Sequence, residues 1–162
     1  MKTNADAPWP AVVALILNWN GRADTLVCLE SLRHQTYPAL IPLVVDNGSD
    51  DGSVAAIRAA FPAVHILETG ANLGFCAGNN VGLEWALAHG ADHVLLLNND
   101  TWFDPTMTSE LVAAASADVG IGLAGPKIYQ ATPLNVLWSA GGDVTFWGNV
   151  TAMRGFGQAD RG

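Results

Sequence analysis

Positive charge is scarce in this chain. Its 162 residues carry 7 Lys and Arg against 15 Asp and Glu, a formal net charge of −8. That balance argues against an electrostatic grip on nucleic acid or on an anionic membrane surface. It also sets a condition on any phosphate-bearing ligand, which such a chain repels: a bound cation or local backbone N–H groups must supply the attraction. Cysteine is almost missing. Cys28 and Cys76 are too few for a disulfide framework, and both read as small buried hydrophobes. No apolar run approaches the roughly 20 residues of a membrane-spanning helix. The longest, Ala11 to Leu17 and Val94 to Leu97, fall far short, and Met1 to Pro10 has no signal core. The chain therefore reads as soluble and cytoplasmic, with any attachment at the inner face of a membrane left to a further C-terminal part. Neither G-x-G-x-x-G nor G-x-x-x-x-G-K-[ST] occurs, which argues against a dinucleotide oxidoreductase and a P-loop.

What the chain does have is hydrophobic mass. Half of it is apolar and only 14% is charged, so a packed core is expected rather than disorder. Ala11 to Leu17 is a continuous apolar run, as a strand buried on both faces requires. Ala23 to Gln35 follows with Leu26, Leu29 and Leu32 at helical spacing. Ile41 to Val45, Val64 to Leu67 and His93 to Leu97 read as further strands, with Val54 to Phe61 and Phe75 to His89 as the helices between them. Pro62 stops one helix and Gly90 the other. Asp104 and Pro105 predict the start of a helix running to Ala117, and Gly120 to Ala124 a fifth strand. Alternation of this kind implies an α/β fold, a mostly parallel sheet with helices on both faces. After Gly125 the sequence turns to glycine and aromatics, in the pattern of short strands and loops. The expected organisation is an extension over 1–10, an α/β domain over 11–125 and a different region from 126 to 162.

In open sheets of this type ligands bind beyond the carboxyl ends of the strands, and three polar clusters fall there, Asn18 to Gly21, Asp46 to Ser53 and Asn98 to Asp100. In Asp46-Asn47-Gly48-Ser49-Asp50-Asp51-Gly52-Ser53, Asp46 ends an apolar strand, where a carboxylate can accept from the imide N–H of a base. Ser49 or Asp50 can equally serve as a helix cap. Asn72-Leu73-Gly74-Phe75-Cys76-Ala77-Gly78-Asn79-Asn80 opens a helix. Gly78 and Gly82 weaken that helix by about 1 kcal/mol each relative to alanine, so something must pack closely on the backbone, a ligand or the sheet. Asn79 and Asn80 can offer amides near the positive end of that helix. Asn98-Asn99-Asp100 ends a buried strand, and Asp100 can hold a hard divalent cation that bridges two phosphates, or close a loop as an Asx turn.

These three segments, in this order and spacing, resemble the signature segments of family 2 glycosyltransferases, closest to the rhamnosyltransferase-like branch. Asn18-Trp19-Asn20-Gly21 and Trp138-Ser139-Ala140-Gly141-Gly142 fit that branch too. The resemblance, which runs from about Val12 to the C-terminus, implies a GT-A fold, a Rossmann-like three-layer sandwich. It implies inverting transfer from a UDP- or dTDP-linked sugar to an acceptor hydroxyl on a glycan or a lipid-linked acceptor, in cell-surface polysaccharide synthesis. By the same resemblance Asp46 holds the pyrimidine, Asn99 lies near the ribose, and Asp100 binds Mg2+ or Mn2+. Asn98 stands where the fuller D-x-D form has a carboxylate. Asn18, Asn47, Ser49, Asp51, Asn72, Gly78, Asn79, Asn80 and Asn98 join Asp46 and Asn99 as candidate donor-binding residues. The family's later acidic segment, which supplies the general base, has no counterpart here, so that base is expected beyond Gly162. The expectation is a truncated chain that binds donor without transferring it. The alternative is a non-catalytic nucleotide-binding module.

His89 and His93 have a metal-like spacing, but Gly90 between them ends the helix, so they read as structural or solvated. Trp138 and Trp147 can stack on a sugar or pack in a core, and a homodimer would bury some of these aromatics.

Overall fold

A computed structural model describes residues 9–145 and 150–161. They fall into two compact units, the first ending at Ser109 and the second beginning at Glu110.

The first unit is built on a four-stranded parallel sheet. Its strands are β1 (Val12–Asn18), β2 (Leu40–Asp46), β3 (His65–Glu68) and β4 (His93–Asn98), in the order β3-β2-β1-β4. Helices α1 (Arg22–Arg33), α2 (Ser53–Ala60) and α3 (Phe75–Ala88) make the crossovers. The uninterrupted apolar run in β1 is explained by its place between β2 and β4, covered on both faces. Ala14 and Ile16 pack with Val44 against Cys28, Leu29 and Leu32 of α1 and Ile57 of α2. Val13 and Leu15 pack with Leu43 and Val45 against Ala86 of α3. Helices therefore lie on both faces, as the alternating sequence implies. The strands run one residue past their apolar runs, so that Asn18 and Asp46 end β1 and β2 as register partners.

The buried face of α1 is Thr25, Cys28, Leu29 and Leu32, a stripe that begins on a polar residue. Leu26, expected on it, is only partly buried. The α4 helix (Met107–Ala117) starts later than the Asp104-Pro105 signal suggested. The Asp104 carboxylate closes a turn by accepting from the Thr106 backbone N–H at 2.8 Å, and the first turn of α4 is met by Gln35, whose Oε1 accepts from Thr108 N at 3.0 Å. Cys28 is buried as expected, but Cys76 is exposed, because it lies on the solvent side of the first turn of α3.

No strand forms over 120–124. Gly120 and Gly122 flank Ile121, no segment among the described residues pairs with it, and Leu123 stands fully exposed. In the second unit β5 (Ile128–Tyr129) pairs antiparallel with β6 (Leu137–Ser139), and β7 (Gly142–Thr145) with β8 (Val150–Met153). This is the pattern of short strands expected after Gly125. Among the described residues no helix is long and apolar enough to cross a membrane.

Candidate functional site

The direction of the sheet reverses at β1. Connections from β1 through β2 to β3 step one way, and the crossover through α3 returns the chain to the other side of β1. A crevice opens beyond the strand ends at such a reversal. Here it is a cavity of about 370 Å³ within the first unit. Leu17 and Trp19 from the end of β1 line it, with Leu97, Asn98, Asn99 and Asp100 from the end of β4. Asn47, Asn72, Gly74 and Phe75 close the remaining side. Asp100 is the only charged residue in this lining, and it makes no hydrogen bond or ion pair among the described residues.

Behind the lining stands a buried hydrogen-bond network. Asn18 Nδ2 donates to Asp46 Oδ1 at 2.8 Å and to Ser49 Oγ at 3.1 Å, while Asn18 Oδ1 accepts from Thr25 Oγ1 at 2.8 Å. Asp46 Oδ2 accepts from Ser49 N at 3.0 Å, across a turn that Gly48 makes with φ of 78°. Ser49 Oγ also accepts from Asn20 N. Asp46, only 3% exposed, is thus engaged at both oxygens and is not among the residues lining the cavity. Asn47 is likewise buried: its Nδ2 donates to Asn72 Oδ1 at 3.0 Å and its Oδ1 accepts from Leu73 N at 3.0 Å, which holds the 72–74 loop beside β2.

The structure brings Asn47, Asn72, Asn98, Asn99 and Asp100 to one cavity and sets the other candidates around it. Asp51 joins the start of α1 to α2, accepting from the backbone N–H groups of Arg22 and Ser53. Hydrogen bonds from the Ser53 hydroxyl and from these backbone groups hold its carboxyl below the usual range. Neither Ser49 nor Asp50 caps α2, whose N-cap position is Gly52; Asp51 meets the first backbone N–H of each helix instead. Gly78 is buried under the sheet: a Cβ there would meet Leu17 Cδ1 at 2.7 Å and Asn47 Nδ2 at 3.2 Å. Asn79 donates back to Phe75 O at 2.9 Å and is buried, whereas Asn80 is exposed and outside the lining. His89 ends α3 and stacks on Trp85, with ring centroids 3.9 Å apart, as a structural role requires. In the second unit Trp138 is half exposed and packs edge-on against Phe156 at 5.4 Å. Trp147 lies outside the described residues, and so do Gly162 and the general base expected beyond it.

Three contributors escaped the sequence reading. Trp19 and Phe75 are large, exposed and on the lining. Thr25 links Asn18 to the end of β4, because Asn99 Nδ2 donates to Thr25 Oγ1 at 3.1 Å. Its signal was a hydroxyl on the apolar stripe of α1. At the same end of β4 the Asn98 carbonyl accepts from Thr101 Oγ1 at 2.6 Å and from the Cys28 thiol at 3.6 Å. Burial, reinforced by the nearby Asp100 charge, pushes the Cys28 thiol up to about 12.

A parallel sheet with a polar cavity at its reversal point defines a doubly wound α/β ligand-binding domain. Comparison with known proteins narrows the class. The profile of Glycosyl transferase family 2 matches residues 14–141, and the chain belongs to that family. It is 33% identical over 112 residues to an N-acetylglucosaminyl-diphospho-decaprenol L-rhamnosyltransferase of Mycobacterium tuberculosis, a match covering 62% of this chain and 35% of that protein. It is 27% identical over 118 residues to the putative glycosyltransferase EpsH of Bacillus subtilis, covering 69% and 32%. The chain thus spans about a third of the length of these curated relatives. A mannosyltransferase from Pyrobaculum calidifontis, solved with GDP-Man and Mn2+, superposes with a TM-score of 0.61 at 21% identity, over 77% of this chain and 40% of that one. Staphylococcus aureus TarS 1–349 with UDP-GlcNAc gives 0.58 at 16% identity, over 74% and 40%. The fold is that of the GT-A glycosyltransferases.

Proposed function

We propose that this chain is the donor-binding part of an inverting family 2 glycosyltransferase that takes a UDP- or dTDP-linked sugar. Residues 11–125 form the donor-binding region, and the acceptor is a glycan or a lipid-linked sugar in cell-surface polysaccharide synthesis at the inner face of the membrane. The observation that carries the reading is the convergence of Asn47, Asn72 and Asn98 to Asp100, from three stretches of sequence, on the cavity at the sheet reversal. That solved relatives hold GDP-Man with Mn2+ and UDP-GlcNAc supports it.

The residues present fit a hydrated divalent cation. No group of three acidic, His or Cys ligands exists among the described residues, but Mg2+ is commonly held by one or two carboxylates and substrate phosphates while keeping several waters. Asp100, the free carboxylate on the lining, would hold Mg2+ or Mn2+, which when bound neutralises charge on a departing nucleoside diphosphate. The chain's own groups orient the donor: Asn72 and Asn99 supply amides from two separate stretches of the lining, and Trp19 and Phe75 supply apolar surface. Asp46 acts from behind the lining, through Asn18 and Ser49. With Asp100 given to the cation, the lining holds no second carboxylate among the described residues to take the acceptor proton, and the activity expected of these residues is donor binding.

The test is calorimetry of UDP, dTDP and GDP with Mn2+ on wild type, Asp100→Ala and Asp46→Asn. Wild type is expected to bind UDP or dTDP, and Asp100→Ala to lose at least tenfold in the presence of Mn2+. Absence of any nucleotide binding at saturating Mn2+ would overturn the reading. Robust sugar transfer by this chain alone would overturn the expectation that it binds donor without transferring it.

A further inference from the structure

A side-chain amide offers a donor at one end and an acceptor at the other, so the end engaged by a buried neighbour decides what a cavity meets. For Asn99 that neighbour is Thr25, and the hydrogen bonds leading to it start from groups with a single role. The Gly21 backbone N–H can only donate, and it reaches Asn18 Oδ1 at 3.2 Å. On the other end, Asn18 Nδ2 donates to the Asp46 carboxylate at 2.8 Å. Asn18 therefore fits one way round. Its Oδ1 must accept from Thr25, at 2.8 Å, and this uses the only hydroxyl proton. The Thr25 oxygen is left as an acceptor, so the atom of Asn99 that faces it, at 3.1 Å, is the nitrogen.

Gly21 completes the arrangement. A Cβ at that position would collide with Asn99 Nδ2, so the absence of a side chain there leaves room for the amide. Asn99 Oδ1 accepts no hydrogen bond among the described residues, and Asn99 lines the cavity next to Asp100. Thr25 itself is fully buried and is not part of the lining.

We propose that Thr25 is a positioning residue for the donor site: it holds the Asn99 amide so that the carbonyl oxygen, not the NH2 group, faces the cavity beside Asp100. That wall then presents two acceptor groups, the Asn99 carbonyl and the Asp100 carboxylate, and the chemistry it recognises is an O–H donor, a hydroxyl of the nucleotide or a water of the cation it carries. The inference rests on the donor-site reading above for its ligand, and on the hydrogen-bond pattern alone for the orientation.

Two measurements test it on the full chain. The first is a double-mutant cycle by calorimetry with UDP, with and without Mn2+. Thr25→Val is expected to weaken binding about tenfold where Asn99 is present and less than twofold in an Asn99→Ala background, while Thr25→Ser stays within about twofold of wild type. A loss confined to the Mn2+ arm assigns the O–H donor to the cation's water, and a loss in both arms to a nucleotide hydroxyl. An equal loss from Thr25→Val in both backgrounds overturns the proposal, since a merely structural role would give that result. The second is independent of nucleotide and of mutant folding: nuclear Overhauser contacts from the Asn99 side-chain NH2 to the Thr25 methyl and Gly21 Hα in wild type. Their absence overturns the proposed orientation. If wild type binds no nucleotide, the donor-site reading fails by itself and these contacts still decide the orientation.

Discussion

Asn18 Nδ2 lies 2.8 Å from Asp46 Oδ1, and neither side chain is more than 3% exposed. The pair joins the ends of two neighbouring parallel strands at the rim where the cavity begins. Each partner satisfies further groups, Thr25, Ser49 and Gly21 on the side of Asn18 and the Ser49 backbone on the side of Asp46. Asn18→Ala would strand several buried polar atoms at once. Unsatisfied buried groups cost about 1–3 kcal/mol each, and partial rearrangement brings the expected total loss to about 3 kcal/mol. Urea unfolding measures it, and a loss below about 1 kcal/mol would show that the network carries little stability.

Gly82 and Gly78 should respond differently to alanine. Helix propensity alone favours alanine at both by about 1 kcal/mol. At Gly82, however, a Cβ would meet Leu15 Cγ at 2.8 Å and Val45 Cγ2 at 2.9 Å, and both side chains are fully buried with nowhere to move. Gly82→Ala is expected to destabilise the first unit by about 2 kcal/mol. At Gly78 the nearest atom is the tip of Leu17, which is only partly buried, so Gly78→Ala should fall within about 1 kcal/mol of wild type. Thermal melting of the two variants compares them.

The two cysteines differ in reactivity. Cys76 is exposed, and Cys28 is fully buried with its thiol pushed up to about 12. At pH 8 a disulfide reagent such as dithionitrobenzoate should modify one thiol quickly and the second only on unfolding. A folded-state value raised above the ordinary value of 9.0 means that the unfolded chain releases the proton first. The stability tied to neutral Cys28 is therefore complete below pH 9 and is lost as pH rises from about 9 toward about 12. Melting temperatures over that range should fall more steeply for wild type than for Cys28→Ala.

Trp19 is 57% exposed on the cavity lining, an unusual place for the largest side chain unless something covers it. If the ligand is a nucleotide, stacking on an aromatic face contributes about 1–3 kcal/mol. Trp19→Ala should weaken UDP binding roughly tenfold and Trp19→Phe by less than about threefold. Fluorescence titration reads both, and unchanged affinity in the alanine variant would remove Trp19 from the site.

Much of this arrangement could be read from the residues. The apolar run of β1, bounded by Asn18, marked a strand covered on both faces, and the polar clusters after β2 and β4 marked the rim where the cavity opens. What could not be read was which polar residue faces a ligand and which faces the protein. Asn18, Asn47 and Asn79 look like binding groups along the sequence, yet each spends its amide on protein partners: Asn18 and Asn47 on the groups of the turns they border, and Asn79 on the Phe75 carbonyl one helical turn back. Thr25 and Gly21 were illegible for the opposite reason. Their importance depends on Asn99, 74 residues from Thr25 in sequence, and only the pairing of β4 with β1 brings them together. The strand expected over 120–124 failed because apolar character alone supplies no partner for its backbone.

The strand order has a consequence for how the chain comes together. β1 reaches β2 across a separation of 28 residues, but its other neighbour, β4, lies 81 residues further along, as the contacts of Asn18 with Asp46 and of Ala11 with Asp92 mark out. Closing the longer loop is entropically slower. During synthesis, therefore, β3, β2 and β1 can associate while one flank of Val12–Asn18 is still an open, hydrophobic edge, a surface prone to pairing with other chains. Only the arrival of His93–Asn98 seals that edge, and the same event delivers Asp100. Completion of the cavity and protection from aggregation are thus acquired in one step, late in the emergence of the first unit.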